Sequence, residues 1–227
     1  MPHIPFVIAL EPDDLTALNL VVEAGLKTEK KWLAKQREDM GLKYLRGKAA
    51  REVRESIRVE FAQQRAKGKL AGTKELVVSK AVKAELKRRK MSGAFEPVPH
   101  EHISVAGRPV GTGPRHYGKS RFDETTLKAR MYVKLPGDLG EQLVRACYWT
   151  SEPAVKALLE WQDLWGDGPE VIMREARRRG AVTVLDMFVA ALAPTPDADS
   201  ILEKARLQEQ VITTGDIVRS AVKRAIR

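Results

Sequence analysis

The chain holds a single cysteine, Cys147, so neither a disulfide framework nor a CxxC metal knuckle is available to it. That scarcity suits a reducing, intracellular setting, and a cytoplasmic or nucleoid-associated location is expected. No apolar run approaches the length a bilayer requires, so no membrane partner is expected. The opening MPHIPFVIALEPDD has a short apolar run with no basic segment ahead of it and no small-residue cleavage site, which makes a poor secretory signal. Internal repeats and low-complexity tracts are missing. So are a Ser/His/Asp set and a pair of carboxylates with reason to be perturbed; the chain is not expected to be an enzyme, and no cofactor is expected. Cys147 falls on an apolar helical face beside Tyr148, the setting of a buried structural thiol rather than a nucleophile.

What is abundant is positive charge. The 227 residues carry a net +10, unevenly placed. Between Lys27 and Ser92 there are 21 Lys/Arg against 8 Asp/Glu, a local +13, so the remainder carries −3. Such asymmetry points to an anionic partner, with nucleic acid the leading candidate. The plainer alternative is a set of solvated helices with generous lysine use.

Helical periodicity dominates the first 91 residues. Glu11-Pro12-Asp13-Asp14 suits a helix start and Gly25 its stop; Thr28 is placed to cap a second helix through Trp32 and Leu33. A third helix is predicted over about 49–65, with Ala50, Val53, Ile57 and Phe61 on one stripe. After a break at Gly72-Thr73, a fourth runs over about 74–91 and ends in Lys87-Arg88-Arg89-Lys90. Basic residues in a last turn complement the helix dipole, and they also offer themselves to phosphates.

From Ser92 to about Thr126 the pattern fails, and this stretch reads as a linker or long loop. Within it, GPRHYGKS (113–120) fits a phosphate-binding loop, with Gly113 and Gly118 wrapping a phosphate, Lys119 reaching it and Ser120 binding magnesium. That chemistry needs a buried strand before the loop and an amphipathic helix after it. Here ISVAGRPV and RFDETTLKAR are poor candidates for both, and the alternating βα units of such folds are missing. A basic loop is favoured, with Arg115, Lys119 and Arg121 available to a phosphate backbone. His100-Glu101-His102 has alternate histidines, but no second cluster completes a metal site, and none is expected.

The next segment, Lys128 to Pro136, is strictly period two. Ala129, Met131, Val133 and Leu135 face one way, while Lys128, Arg130, Tyr132 and Lys134 face the other, which predicts a strand. A helix follows, with Leu139, Leu143 and Ala146 or Cys147 on one face. Thr150-Ser151-Glu152-Pro153 reads as a fresh helix start. Further helices are predicted over about 169–179, 182–193, 197–209 and 216–226.

The run ARMYVKLPGDLGEQLVRACYWTSEPAVKALLEW resembles the ribbon–helix–helix DNA-binding family over about residues 128–166. The resemblance implies a dimer whose paired strands enter the major groove. It assigns base contacts to Arg130, Tyr132 and Lys134, and phosphate contacts to Thr150 and Ser151 at the second helix. A lone strand has unsatisfied backbone groups on its edges, so pairing with its own copy is the expected remedy. Lys128, Lys87, Arg88, Arg89 and Lys90 would add phosphate contacts.

The expected architecture is mainly α: a basic helical region (1–91), a linker (92–126), and a ribbon–helix–helix-like dimerisation and DNA-binding region with extra C-terminal helices (127–227). The expected function is sequence-specific duplex DNA binding by a homodimer of repressor, plasmid-partition or mobile-element accessory type. The alternatives are a basic structural or assembly protein of a phage or ribonucleoprotein particle and, more weakly, a nucleotide-binding protein using Gly113, Gly118, Lys119 and Ser120.

Overall fold

The computed structural model describes residues 3–99, 127–165, 173, 176–180, 182–192 and 195–227. The chain is mainly helical, with, among the described residues, one two-stranded antiparallel sheet. Strand β1 spans His3–Leu10 and β2 spans Ala129–Pro136. Helix α1 covers Pro12–Asp39, α2 Gly47–Ala66, α3 Lys74–Arg88, α4 Gly137–Trp165, α5 Val184–Leu192, α6 Ala198–Gln210 and α7 Thr214–Ala225. Contacts divide it into two units: one of Met1–Phe95, Arg121–Val144 and Thr214–Arg227, the other of Glu96–Ser120 and Arg145–Thr213. This division cuts across the sequential segments 1–91, 92–126 and 127–227.

In the first unit, β2 pairs antiparallel with β1 of the same chain, which corrects the expectation of a lone strand. The register shows why the two match. Ile4 faces Leu135, Phe6 faces Val133 and Ile8 faces Met131, so one side of the ribbon is continuously apolar and, apart from the half-buried Ile4, buried. The alternation of β1 is disguised in the sequence because its outward positions include Val7 and Ala9, and Pro5 sits where an edge strand tolerates it. Behind the ribbon pack α3 and α7, whose buried faces are Val78, Val82 and Leu86 on one and Ile217, Val218, Ala221 and Val222 on the other.

Two predicted helix breaks do not occur. Helix α1 starts at Pro12 as expected but runs through Gly25 to Asp39. Gly25 is there for close approach: a Cβ would collide with the Ala71 carbonyl oxygen of the loop before α3. Thr28 caps nothing; its hydroxyl donates back to the Ala24 carbonyl at 3.0 Å. The break after α2 is real, and Thr73 caps α3 by accepting the Leu76 N–H at 3.3 Å.

Helix α4 is likewise continuous, with Pro153 in its interior, so the turn expected at Thr150–Pro153 is not formed and residues 129–165 make a strand followed by one long helix. Contacts within the second unit offset the lost backbone bond. Ser151 Oγ accepts the Ile212 N–H at 2.8 Å and donates to the Ile212 carbonyl at 3.1 Å. Ala154 and Leu158 pack on Val211, with Val155 and Leu207 around them. Trp161 donates to the Ser200 carbonyl at 3.0 Å and lies under the Lys204 ammonium. Cys147 is buried, as expected of a structural thiol. Helix α5 opens with a reciprocal cap, Asp186 N–H to the Thr183 hydroxyl and Thr183 N–H to the Asp186 carboxylate. The Thr183 hydroxyl also donates to the Asp186 carboxylate at 2.6 Å, and this bond foremost, then that of the Thr183 N–H, holds the Asp186 carboxyl below its usual range.

Candidate nucleic-acid interface

The outward side of the ribbon is built by register alone. On β2 it carries Arg130, Tyr132 and Lys134, all exposed, with Lys128 just before the strand. On β1 it carries Pro5, Val7 and Ala9, which oppose Lys134, Tyr132 and Arg130 in that order. Tyr132 is half exposed, as is Val7 across from it. No carboxylate lies on this face of either strand. Among the described residues none of Arg130, Tyr132 and Lys134 has a hydrogen-bond or ion-pair partner. The result is a ribbon face with two uncommitted cations flanking an aromatic ring. The predicted outward face of the strand is therefore observed, and Val7 is the residue the sequence reading missed beside it.

The basic run at the end of α3 is arranged differently. Glu85, one turn earlier, is buried, and its carboxylate gathers the guanidinium groups around it. Arg88 donates twice, at 3.0 and 2.7 Å. Arg89 Nε approaches to 2.7 Å and Arg224 Nε of α7 to 3.1 Å, and the Ser220 hydroxyl donates at 2.9 Å. The bonds from Arg88 foremost, then those from Arg89 and Ser220, pull the Glu85 carboxyl down to about 2, against the opposing effect of its burial. Arg88 and Arg89 thus neutralise a buried acid, while Lys87 and Lys90 remain exposed. The signal for this was legible: a glutamate with arginines three and four residues on, inside an otherwise basic run.

A second buried carboxylate, Glu29, takes two bonds from Arg65, at 2.8 and 2.7 Å, and a third from the Gly72 N–H at 2.9 Å. The Arg65 bonds hold it below its ordinary range. Arg65 also stacks over Phe61, which in turn meets Trp32. Part of the positive charge between Lys27 and Ser92 therefore serves the fold.

The phosphate contacts expected of Thr150 and Ser151 do not assemble. No helix starts there; Thr150 is exposed in mid-helix, and Ser151 is buried and bonded to Ile212. Gly113, Arg115, Gly118, Lys119, Ser120 and Arg121, and the His100-Glu101-His102 pair, lie outside the described residues. Among the described residues no group of three or more metal-ligating side chains comes together, and no helix is long and apolar enough to cross a membrane. Comparison with protein-family models, with curated proteins and with solved structures finds no match.

Proposed function

We propose that the protein binds duplex DNA by laying the outward face of the β1–β2 ribbon in the major groove. The observation that carries this reading is the row Arg130, Tyr132 and Lys134 on a two-stranded ribbon, uncommitted and without a neighbouring acid on that face. A two-stranded ribbon fits a major groove about 12 Å wide. Arginine takes guanine O6 and N7 bidentately, and lysine reaches guanine or a phosphate. Val7 and the Tyr132 ring supply the apolar surface that a thymine methyl prefers. Lys128, Lys87 and Lys90 add backbone contacts that position the chain without specifying sequence. Such a reader serves repression, partition or the handling of mobile elements.

Because one chain supplies both strands, its ribbon face is asymmetric: the cations sit on β2 and the neutral residues on β1. Selection from a random duplex pool should therefore enrich a short motif without internal two-fold symmetry. An inverted repeat of that motif would add a pairing of two chains. Retention with no enriched motif would defeat sequence reading and favour a sequence-blind assembly role for the same charge.

A further inference from the structure

Apart from the ribbon face, the first unit contains a cleft of about 550 Å³ between α1, the loop before α3, α3 and α7. That size lies within the range of small-molecule sites. Its lining has two chemistries. Val21, Val77, Ala81 and Ala225 give an apolar surface. Lys69, Lys80, Arg88 and Arg224 supply four cations from three separate stretches of chain. Among the described residues Glu85 is the single carboxylate of the lining, and it is already engaged by Arg88, Arg89 and Arg224. Among the described residues the Lys80 ammonium donates only to the Gly68 carbonyl, at 3.1 Å, and the Lys69 ammonium has no partner. The cleft therefore keeps an excess of positive charge at the edge of an apolar surface. A nucleic-acid backbone needs the first of these features and has no use for the second.

We infer that this cleft binds a small amphipathic anion, with an oxyanion head, carboxylate or phosphate, held by Lys69, Lys80 and Arg224 and an apolar body laid against Val21, Val77, Ala81 and Ala225. Burial of the body and charge-assisted bonds to the head act together, and either alone is a weaker hold. An apolar wall that excludes part of the water lowers the local dielectric and strengthens the attraction between such a head and the cations.

Calorimetric titration of the full chain with decanoate, decyl phosphate and decanol tests this. The expected result is saturable binding of one anion per chain, with decanol at least about tenfold weaker than the better anion. Comparing the two anions identifies the head. Lys69→Gln, at an exposed residue whose side chain holds nothing in the fold, should weaken the anion about tenfold. Ala84→Phe, at an exposed position of the same lining, should block the cleft and abolish binding while the thermal unfolding curve stays that of the parent. Decanol binding as tightly as the anions, binding unaltered by Ala84→Phe, or no saturable binding of either anion would each overturn the inference.

Discussion

Two basic stretches of this chain look alike in the sequence and are used differently. Arg130 and Lys134 stand on an outward strand face with no carboxylate beside them. Arg88 and Arg89 stand in a run of four cations but turn to the buried Glu85, which Arg224 also reaches. The difference teaches that a count of positive charge does not measure what is free to meet an anion. A single buried glutamate commits three guanidinium groups, because a carboxylate cannot stay ionised away from water without such partners.

The comparison breaks most visibly at Glu85. Glu85→Gln removes the acceptor that Arg88, Arg89 and Arg224 share and leaves their charges crowded. A loss of about 3 kcal/mol of unfolding free energy is expected, the low end for a broken buried pair because Arg88 and Arg224 are about half exposed. Urea unfolding measures it, and an unchanged midpoint would mean the cluster contributes nothing. The pH dependence has a definite sign. The folded-state carboxyl of Glu85 lies near 2, below its ordinary 4.5. Its contribution is therefore complete above the ordinary value and drains away as pH falls from there through the folded value. Stability measured across that window should decline, and Glu85→Gln should decline less.

The ribbon side of the comparison concerns binding rather than folding. Arg130→Ala should cost roughly 1–3 kcal/mol of affinity for the selected duplex and relax preference at one base position, with unfolding unaltered. Fluorescence anisotropy with the selected site and single-base variants reads both. Equal affinity of parent and variant for every duplex would remove the ribbon from the interface.

The smallest effect sharpens the comparison within one run. Lys87→Gln should weaken binding about equally for all sequences and lower the slope of log affinity against log salt by about 1. Arg89→Gln, one turn from Glu85 and largely covered, should instead register in unfolding. If the two variants exchanged these signatures, the division of the run between fold and surface would be wrong.

The parts of the fold that were legible are those where one local period meets one buried face. Strand β2 alternates cleanly because Met131, Val133 and Leu135 are buried and Arg130, Tyr132 and Lys134 are wet. Helices α3, α5, α6 and α7 lie close to where periodicity and capping residues place them. Strand β1 was hidden because Val7 and Ala9 make its outward side nearly as apolar as its inward one. The breaks expected at Gly25 and at Thr150–Pro153 were reasonable as local propensities, and distant residues overrode them: Ala71 against Gly25, Ile212 and Val211 against Ser151 and Ala154.

The amino-acid sequence by itself determined the helical class, the strand at 129–136, the side of it that faces water, and the excess of positive charge. These follow from short-range periodicity and composition, which need no knowledge of what packs where. Only the tertiary structure decided that β1 pairs with β2, that two helices run on through their apparent stops, that Arg88 and Arg89 belong to Glu85, and that Lys69, Lys80 and Arg224 meet around one cleft. Each of these depends on residues far apart in the chain, and an interaction of that kind exists only once the fold has brought its partners within a few ångströms of each other.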